Sequence, residues 1–184
     1  MEELQHCEIL KTNINVTNMS DTIKYIAGHL DDLRGKYICV SNVHTTVMSY
    51  ENEEYRKIQN GAAMALPDGA PLSSYSRRKG YKQAQRVTGP DLMLELFAIS
   101  KEKGYRHYFY GATEETLQSM KEVLERDYPG IQIAGMYAPP FRALTPQEDA
   151  QIVAKINEAR PDFIWIGLGA PKQEEWMYQH MGQL

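Results

Sequence analysis

The sequence predicts an α/β fold, with a mostly parallel sheet that carries helices on both faces. Short segments rich in β-branched and aromatic residues alternate with segments whose apolar residues recur every three or four positions. Strands that alternate with helices pair in parallel, and the helices then cover the sheet. With 184 residues, 42% of them hydrophobic and 24% charged, the chain has the size and composition of one globular domain.

Six segments are predicted to be strands. They are short, and several of them end at a glycine or an asparagine. In chain order they are residues 9–16, 36–41, 62–66, 105–110, 131–137 and 162–168. Open α/β sheets bind ligands beyond the carboxyl ends of their strands. The residues that follow each strand are therefore the ones that could form a site.

The helices between these strands carry recognisable start signals, either a capping residue or a proline in the first turn. One helix is predicted to bury a stripe that runs from Ile23 to Leu33, and the last one is predicted to end before Pro161. In chain order the start signals are Ser20 as a cap, Pro90 in a first turn, Thr113 as a cap, and Thr145 with Glu148 as a capping box around Pro146.

Composition and charge exclude several classes of protein. The net charge of −4 argues against a nucleic-acid partner, because phosphate contacts need a basic face. No apolar run approaches the ~18 residues of a membrane-spanning helix, and the acidic, polar start of the chain is unlike a signal peptide. Cys7 and Cys39 are too few and too far apart for a disulfide framework, so we expect two reduced thiols in a cytosolic protein.

The end of the last predicted strand offers a candidate diphosphate site. Gly169 allows the backbone to approach a ligand, and Pro171 favours a first helical turn whose free N–H groups would face an anion. Lys172 adds a full positive charge. An ordinary glycine turn is the alternative interpretation, because Gly-x-Gly without a third glycine is common.

Three other strand ends carry residues that could take part in chemistry. Asp68, beside Gly69, could accept the proton of an acceptor hydroxyl as a general base, or it could only form an Asx turn or helix cap. Gly111 could contact a nucleotide or simply form a turn. Asn42 can donate and accept hydrogen bonds to a sugar or a base. His44 is either an acid–base candidate or a packed histidine.

A basic run lies between residues 77 and 86. It could be a solvated helix face, or it could contact a pyrophosphate or an anionic bilayer surface. Its members are Arg77, Arg78, Lys79, Lys82 and Arg86. The sequence contains no Asp-x-Asp, the usual divalent-metal clamp on a sugar nucleotide, so we expect no metal.

Taken together, these segments resemble the WecG/TagA/CpsF family of bacterial glycosyltransferases. The resemblance covers nearly the whole chain, and its Pro-Asp-Gly and Gly-Ala-Pro-Lys-Gln-Glu blocks are specific in combination. The matching segments are Ser41-Asn42-Val43-His44, Leu66-Pro67-Asp68-Gly69, Arg86-Val87-Thr88-Gly89-Pro90-Asp91-Leu92, Tyr110-Gly111, and Gly167-Leu168-Gly169-Ala170-Pro171-Lys172-Gln173-Glu174 followed by Trp176.

The resemblance implies a Rossmann-like fold and an inverting sugar transfer from a UDP-sugar donor, without metal or cofactor. Typical members add N-acetylmannosamine, its uronic acid or another hexose to a polyprenyl-diphosphate-linked sugar. The products feed teichoic acid, enterobacterial common antigen or capsule. The implied protein is cytoplasmic, in peripheral contact with the inner face of the bacterial plasma membrane.

The resemblance also implies roles for individual residues. Asp68 matches the family's candidate base, Arg86 the arginine of an Arg-Val-x-Gly block, and Gln173 a matched glutamine. The family often has a threonine where this chain has Val40, which leaves Ser41 as the nearest hydroxyl. The catalytic candidates are Asp68, Arg86 and Asn42, and the substrate-binding candidates are Ser41, Gly69, Gly111, Gly169, Lys172, Gln173 and Glu174.

Residues 1–184 are expected to form a single glycosyltransferase core domain that lacks the family's C-terminal appendage. Apolar surface meant for that appendage would then be exposed, so a homo-oligomer is expected. A non-catalytic nucleotide-sugar-binding module of the same family is the alternative function. A nicotinamide-dependent dehydrogenase is disfavoured, because no predicted strand is followed by a full Gly-x-Gly-x-x-Gly.

Overall fold

A computed structural model of the chain describes residues 4–184. Helices alternate with strands along most of it, and most strands pair in parallel, which confirms the predicted α/β class. In chain order the elements are β1 His6–Ile9, β2 Thr12–Asn15, α1 Met19–Gly28, α2 Leu30–Leu33, β3 Ile38–Ser41, α3 Val43–Glu51, α4 Glu53–Gly61, β4 Met64–Pro67, α5 Ala70–Arg78, α6 Gly89–Lys103, β5 Arg106–Gly111, α7 Glu114–Asp127, β6 Gln132–Tyr137, α8 Pro146–Ala159, β7 Phe163–Gly167 and α9 Lys172–Gln179.

The described chain divides into two compact units. The first contains residues 4–95 and Ala170–Gly182, and the second contains Leu96–Gly169 with residues 183–184. The first unit holds the parallel pair β3-β4 and the antiparallel hairpin β1-β2, whereas the second holds the parallel sheet β6-β5-β7. The expected single domain over residues 1–184 stays a prediction, because compact units of one chain can still fold together.

Five of the six predicted strands are confirmed, and only the first is wrong. Residues 9–16 belong to a hairpin in which Ile9 pairs with Thr12 across a two-residue turn. Leu10 and Lys11 form that turn with φ of 49° and 65°. Such turns usually carry asparagine or glycine, so nothing in this sequence marks the reversal.

The first helix differs from its prediction at both ends. Asn18, not Ser20, is its cap, and its Oδ1 accepts from the Asp21 N–H at 3.0 Å. The predicted stripe to Leu33 is divided between α1 and α2, because His29 leaves the helical conformation at φ −126°. The starts at Pro90, Thr113 and the Thr145–Glu148 capping box are all confirmed.

Two groups of buried side chains form the core described for the first unit. One joins the hairpin to β4 and α5, and the other lies between β3 and α4. Cys7 and Cys39 are buried free thiols, one in each group. The first group contains Cys7, Ile9, Ile14, Ala65 and Leu72, and the second contains Tyr37, Cys39, Tyr55 and Ile58.

The core of the second unit is built around a fully buried histidine. The His107 ring stacks on Phe163 with centroids 5.4 Å apart and meets the edge of Phe97 at 4.9 Å. Trp165 Nε1 donates to His107 Nδ1 at 3.1 Å, so His107 Nε2 carries the proton and donates to Ser100 Oγ at 2.7 Å. Burial lowers the pKa of His107 to about 4. The histidine is therefore a neutral structural residue.

We expect acid to destabilise the second unit through His107. The unfolded histidine binds its proton near pH 6.5, whereas the folded one binds it only near pH 4. Stability present above pH 6.5 is therefore lost as the pH falls toward 4, by about 3 kcal/mol in all. Urea titrations between pH 7 and 4, followed by tryptophan fluorescence, measure this loss. His107→Gln should flatten the pH dependence, and an unchanged slope in that variant would contradict the assignment.

Candidate functional site

The carboxyl ends of β3 and β4 bring two predicted segments together. The strands pair in parallel with Ser41 opposite Pro67, and the Asp68 N–H donates to the Ser41 carbonyl at 2.7 Å. The Val87 N–H donates to the Pro67 carbonyl at 2.9 Å, which brings the segment containing Arg86 to the same edge. Three of the sequence-predicted segments therefore meet at one sheet edge, as expected for a parallel pair.

Asp68 presents a half-buried carboxylate at this edge. The helix that follows it is capped by Gly69 without any side-chain hydrogen bond, so the alternative role of Asp68 as a helix cap is wrong. Among residues 4–184 no hydrogen bond to its carboxylate is formed. Burial raises the pKa of Asp68 from its ordinary value, the Arg86 charge opposes that shift, and the Asp91 charge adds to it. A carboxylate in this state retains its capacity to accept a proton.

Arg86 interacts with both carboxylates of this edge, those of Asp68 and Asp91. Its Nη2 lies 3.5 Å from Asp91 Oδ2, with both side chains more than half exposed, and its charge also acts on Asp68. An exposed ion pair of this kind contributes little to stability, so the guanidinium remains able to bind an anion. Asp91 was missed as a site residue, although it belongs to the matched Arg86-to-Leu92 block and could have been found there.

Ser41 ends β3 and Asn42 follows it, but the two side chains have different surroundings. Asn42 caps α3 in a capping box, in which its Oδ1 accepts from the Thr45 N–H at 3.1 Å. Its amide nitrogen makes no hydrogen bond within residues 4–184 and could donate to a ligand. Ser41 is fully buried, and its hydroxyl donates to Gln59 Oε1 at 2.6 Å. Ser41 therefore organises the interior rather than the surface of the site.

Three of the predicted residues lie at the start of α9, and they differ in solvent exposure. Lys172 is exposed, Gln173 is half-buried, and Glu174 is 1% exposed. Gln173 Nε2 donates to Glu174 Oε1 at 2.9 Å, whereas Glu174 Oε2 has no hydrogen-bond partner among the described residues. The exposed and half-buried members are accessible to a ligand, while Glu174 faces the core.

A buried chain of polar side chains connects Glu174 to the end of β3. Gln59 Nε2 donates to the Tyr55 hydroxyl at 3.0 Å, and Gln59 Oε1 accepts from Ser41. The Tyr55 hydroxyl in turn meets the Glu174 carboxylate, and burial followed by the Glu174 charge raises the pKa of this phenol. Tyr55 and Gln59 were not among the predicted site residues, although their i, i+4 spacing on the buried face of α4 was the available signal.

Gly111 and Gly169 lie in the second unit. Gly111 ends β5 opposite Gly167 of β7, at φ 128°, and the Ala112 N–H donates to the Gly167 carbonyl at 3.3 Å. A Cβ on Gly111 would lie 2.3 Å from the Gly167 oxygen. Gly169 has φ 78° and open space around its α-carbon. Close backbone packing therefore requires a glycine at 111, whereas at 169 the requirement is conformational.

The remaining candidates are His44, which is exposed, and the basic run, part of which packs against its own helix. His44 is exposed in the first turn of α3, so it is not the packed histidine of the alternative interpretation. Within the basic run, Arg77 donates to the Ala84 carbonyl at 2.7 Å and to Ser74 Oγ at 3.0 Å. Lys79 Nζ lies over the Tyr75 ring, 5.4 Å from its centroid. Part of this run therefore stabilises the end of α5.

Membrane-spanning helices and clusters of metal ligands are both lacking in the part of the chain that the structure describes. No helix there is long and apolar enough to cross a bilayer. No cluster of three or more histidine, cysteine, aspartate or glutamate side chains there could hold a metal ion.

The resemblance seen in the motifs extends along the chain. A sequence model of the glycosyl transferase WecG/TagA/CpsF family matches residues 7–184. The chain belongs to this family. The segments at the β3-β4 edge and the start of α9 lie within that match, so the family assignment includes the site residues of the first unit.

Similar proteins carry the name N-acetylglucosaminyldiphosphoundecaprenol N-acetyl-beta-D-mannosaminyltransferase. The one from Bacillus spizizenii is 29% identical over 83% of this chain and 57% of its own length. The one from Bacillus subtilis is 28% identical over 90% and 64%, and the one from Staphylococcus aureus is 26% identical over 96% and 68%. The chain thus spans about six-tenths of the length of these relatives.

Gly111→Ala is expected to destabilise the protein by roughly 2 kcal/mol or more, because the new methyl group meets the Gly167 carbonyl and φ is positive. Thermal or urea unfolding measures the change. Gly28→Ala is the matched control, since nothing lies within 4 Å of a Cβ there and the residue is helical. Equal stability of the two variants would contradict the packing role of Gly111.

Proposed function

We propose that this chain is the core of an inverting glycosyltransferase that uses no metal ion. It transfers a hexose, with N-acetylmannosamine as the leading candidate, from a UDP-sugar to a polyprenyl-diphosphate-linked sugar. The product of this transfer would be used in the synthesis of teichoic acid or another cell-surface polysaccharide. The family assignment and the names of the relatives support the reaction class, and the absence of Asp-x-Asp from the sequence supports chemistry without a metal.

The observation that carries the proposal is the state of Asp68. It is half-buried at the carboxyl edge of β3 and β4, it accepts no hydrogen bond from residues 4–184, and its pKa is raised mainly by burial. A carboxylate that stabilises the fold would be expected to accept hydrogen bonds, as Glu148 does in its capping box. Asp68 is instead poised to accept a proton from a ligand.

In the proposed step, Asp68 takes the proton of the acceptor hydroxyl as that oxygen attacks the anomeric carbon of the donor. The new glycosidic bond forms on the face opposite the departing group, so the configuration inverts. The bond between the anomeric carbon and the diphosphate oxygen breaks, and UDP leaves with the electron pair. Arg86 lies close enough to act on the Asp68 charge, and it is suited to stabilise negative charge that develops nearby.

The start of α9 is proposed to hold the diphosphate end of the donor. Lys172 is an exposed cation in the first turn, where free N–H groups also favour an anion. Gln173, half-buried beside it, is proposed to contact the donor directly. Asn42 offers its amide nitrogen to the sugar or the base.

The acceptor implies a position at the membrane. We propose that the protein works in the cytoplasm as a peripheral protein at the inner face of the plasma membrane, with exposed Arg78, Lys79 and Lys82 as electrostatic contacts. A homo-oligomer is also proposed. Val43, Val47 and Tyr50 support it, because they follow i, i+4, i+7 spacing on α3 and are 47%, 37% and 51% exposed.

Asp68→Asn is expected to lower turnover by roughly 10²- to 10⁴-fold while UDP affinity stays nearly unchanged, because the amide keeps the shape and loses the basicity. The assay follows transfer from UDP-N-acetylmannosamine to a short polyprenyl-diphosphate-linked N-acetylglucosamine, with EDTA present. In the unchanged chain, activity should fall at acid pH through a pKa above the ordinary aspartate value.

Asp32→Asn is the matched control for this variant, since Asp32 is an exposed aspartate on α2. It should leave turnover unchanged. Turnover near that of the unchanged chain in Asp68→Asn would remove Asp68 from the mechanism. UDP binding without any transfer by the unchanged chain would favour the non-catalytic binding module instead.

Lys172→Ala is expected to weaken UDP binding about tenfold and uridine binding far less, because the ammonium group contributes a charge-assisted contact to phosphate. Isothermal titration calorimetry with both ligands measures the difference. Lys24→Ala on α1, which removes another exposed lysine, is the control. Equal losses for UDP and uridine would show that Lys172 does not meet the diphosphate.

A further inference from the structure

Glu174 is a buried charged residue that has no role in the proposed reaction. Its side chain is 1% exposed in the first unit, within a matched block whose other polar members are accessible. A buried carboxylate is unfavourable unless hydrogen-bond donors surround it. The polar groups that contact the Glu174 carboxylate therefore indicate its role in the protein.

The donors that meet Glu174 come from two elements. Gln173 Nε2, on the same helix, donates to Oε1 at 2.9 Å. The Tyr55 hydroxyl of α4 meets the same carboxylate, and it accepts from Gln59 Nε2 at 3.0 Å. Gln59 Oε1 in turn accepts from the Ser41 hydroxyl at 2.6 Å. Ser41 thus donates to Gln59, and Gln59 donates to the Tyr55 hydroxyl that lies beside Glu174.

The Glu174 carboxylate fixes the orientation of the Gln173 amide. A carboxylate only accepts hydrogen bonds, so the nitrogen of the amide, and not its oxygen, must face Glu174. One N–H of Gln173 is thereby committed, and the plane of the amide is set for whatever the side chain contacts. The far end of the chain is Ser41, whose carbonyl holds the Asp68 N–H at 2.7 Å.

We infer that Glu174 is a positioning residue for the donor substrate, which it serves by holding the Gln173 amide in one orientation and tying it through Tyr55 and Gln59 to the strand end beside Asp68. The inference rests on the proposed function, in which Gln173 contacts the UDP-sugar. It assigns Glu174 to the support of the site and not to direct contact with the ligand.

A double-mutant cycle on the full 184-residue chain tests this role, with UDP as the probe in isothermal titration calorimetry. Glu174→Gln keeps the volume but offers one acceptor oxygen to two donors, so we expect UDP affinity to fall about tenfold. Gln173→Ala should produce a comparable loss. The double variant should bind no more weakly than Gln173→Ala alone, because Glu174 acts only through that side chain.

Glu175→Gln is the matched control, because it makes the same change at the exposed neighbouring position on α9. It should bind UDP as the unchanged chain does. In the transfer assay, the loss in Glu174→Gln should appear in the KM for the UDP-sugar, with kcat changed less than about twofold, as expected when ground-state and transition-state contacts weaken together. A loss confined to kcat would contradict the inference.

A second cycle covers the case in which Glu174→Gln does not fold, as judged by circular dichroism. Tyr55→Phe removes the hydroxyl that links Glu174 to Gln59, and its loss of UDP affinity should also vanish in a Gln173→Ala background. Additive losses in either folded cycle would overturn the positioning role while leaving the proposed function intact. Failure of the unchanged chain to bind UDP would overturn the proposed function, and the inference with it.

Discussion

The placement of a carboxylate inside the first unit dictates much of the structure around it. Glu174 is removed from water at a considerable free-energy cost, and only hydrogen-bond donors can offset that cost. Gln173 supplies one of them, and the Tyr55 hydroxyl, which accepts from Gln59, lies beside the same carboxylate. The polar side chains around this one buried charge therefore connect three elements, namely α9, α4 and the end of β3. Buried polar networks favour a single arrangement, since a slip of one member leaves further donors or acceptors unpaired.

The two carboxylates of the first unit illustrate how surroundings separate roles. Glu174 is 1% exposed and its Oε1 accepts from Gln173, which assigns it to the interior of the fold. Asp68 is only half-buried, accepts no hydrogen bond from the described residues, and lies near a positive and a negative neighbour. Divergent environments for two similar groups are a common way to divide acid–base work from support. The same logic keeps His107 neutral in the second unit, where an indole N–H commits its Nδ1 as an acceptor.

Sequence patterns predicted the structure correctly where local residue spacing determines it. Parallel strands separated by helices, the Thr145–Glu148 capping box and the strand-end position of Asp68 all follow from spacing alone, and all are confirmed. The turn at Leu10 and Lys11 was missed, because neither residue type favours positive φ. The Tyr55–Gln59–Glu174 chain was missed for a different reason. Its outermost members, Tyr55 and Glu174, are 119 residues apart in the sequence, and only the tertiary fold shows that Glu174 is buried.

The glycines of the matched motifs show why a motif alone does not establish a ligand contact. Gly111 could be taken as a nucleotide contact, yet the Gly167 carbonyl leaves no room for a Cβ there, so backbone packing alone would preserve it. Gly69 has φ 102° and ψ 145°, a conformation open essentially to glycine only, and it starts α5 directly after Asp68. Any other residue would be strained in this conformation. Because position 69 is a glycine, the chain can turn there and place Asp68 at the strand edge. In the proposed function, Gly69 would therefore contribute by placing Asp68, without touching a ligand itself.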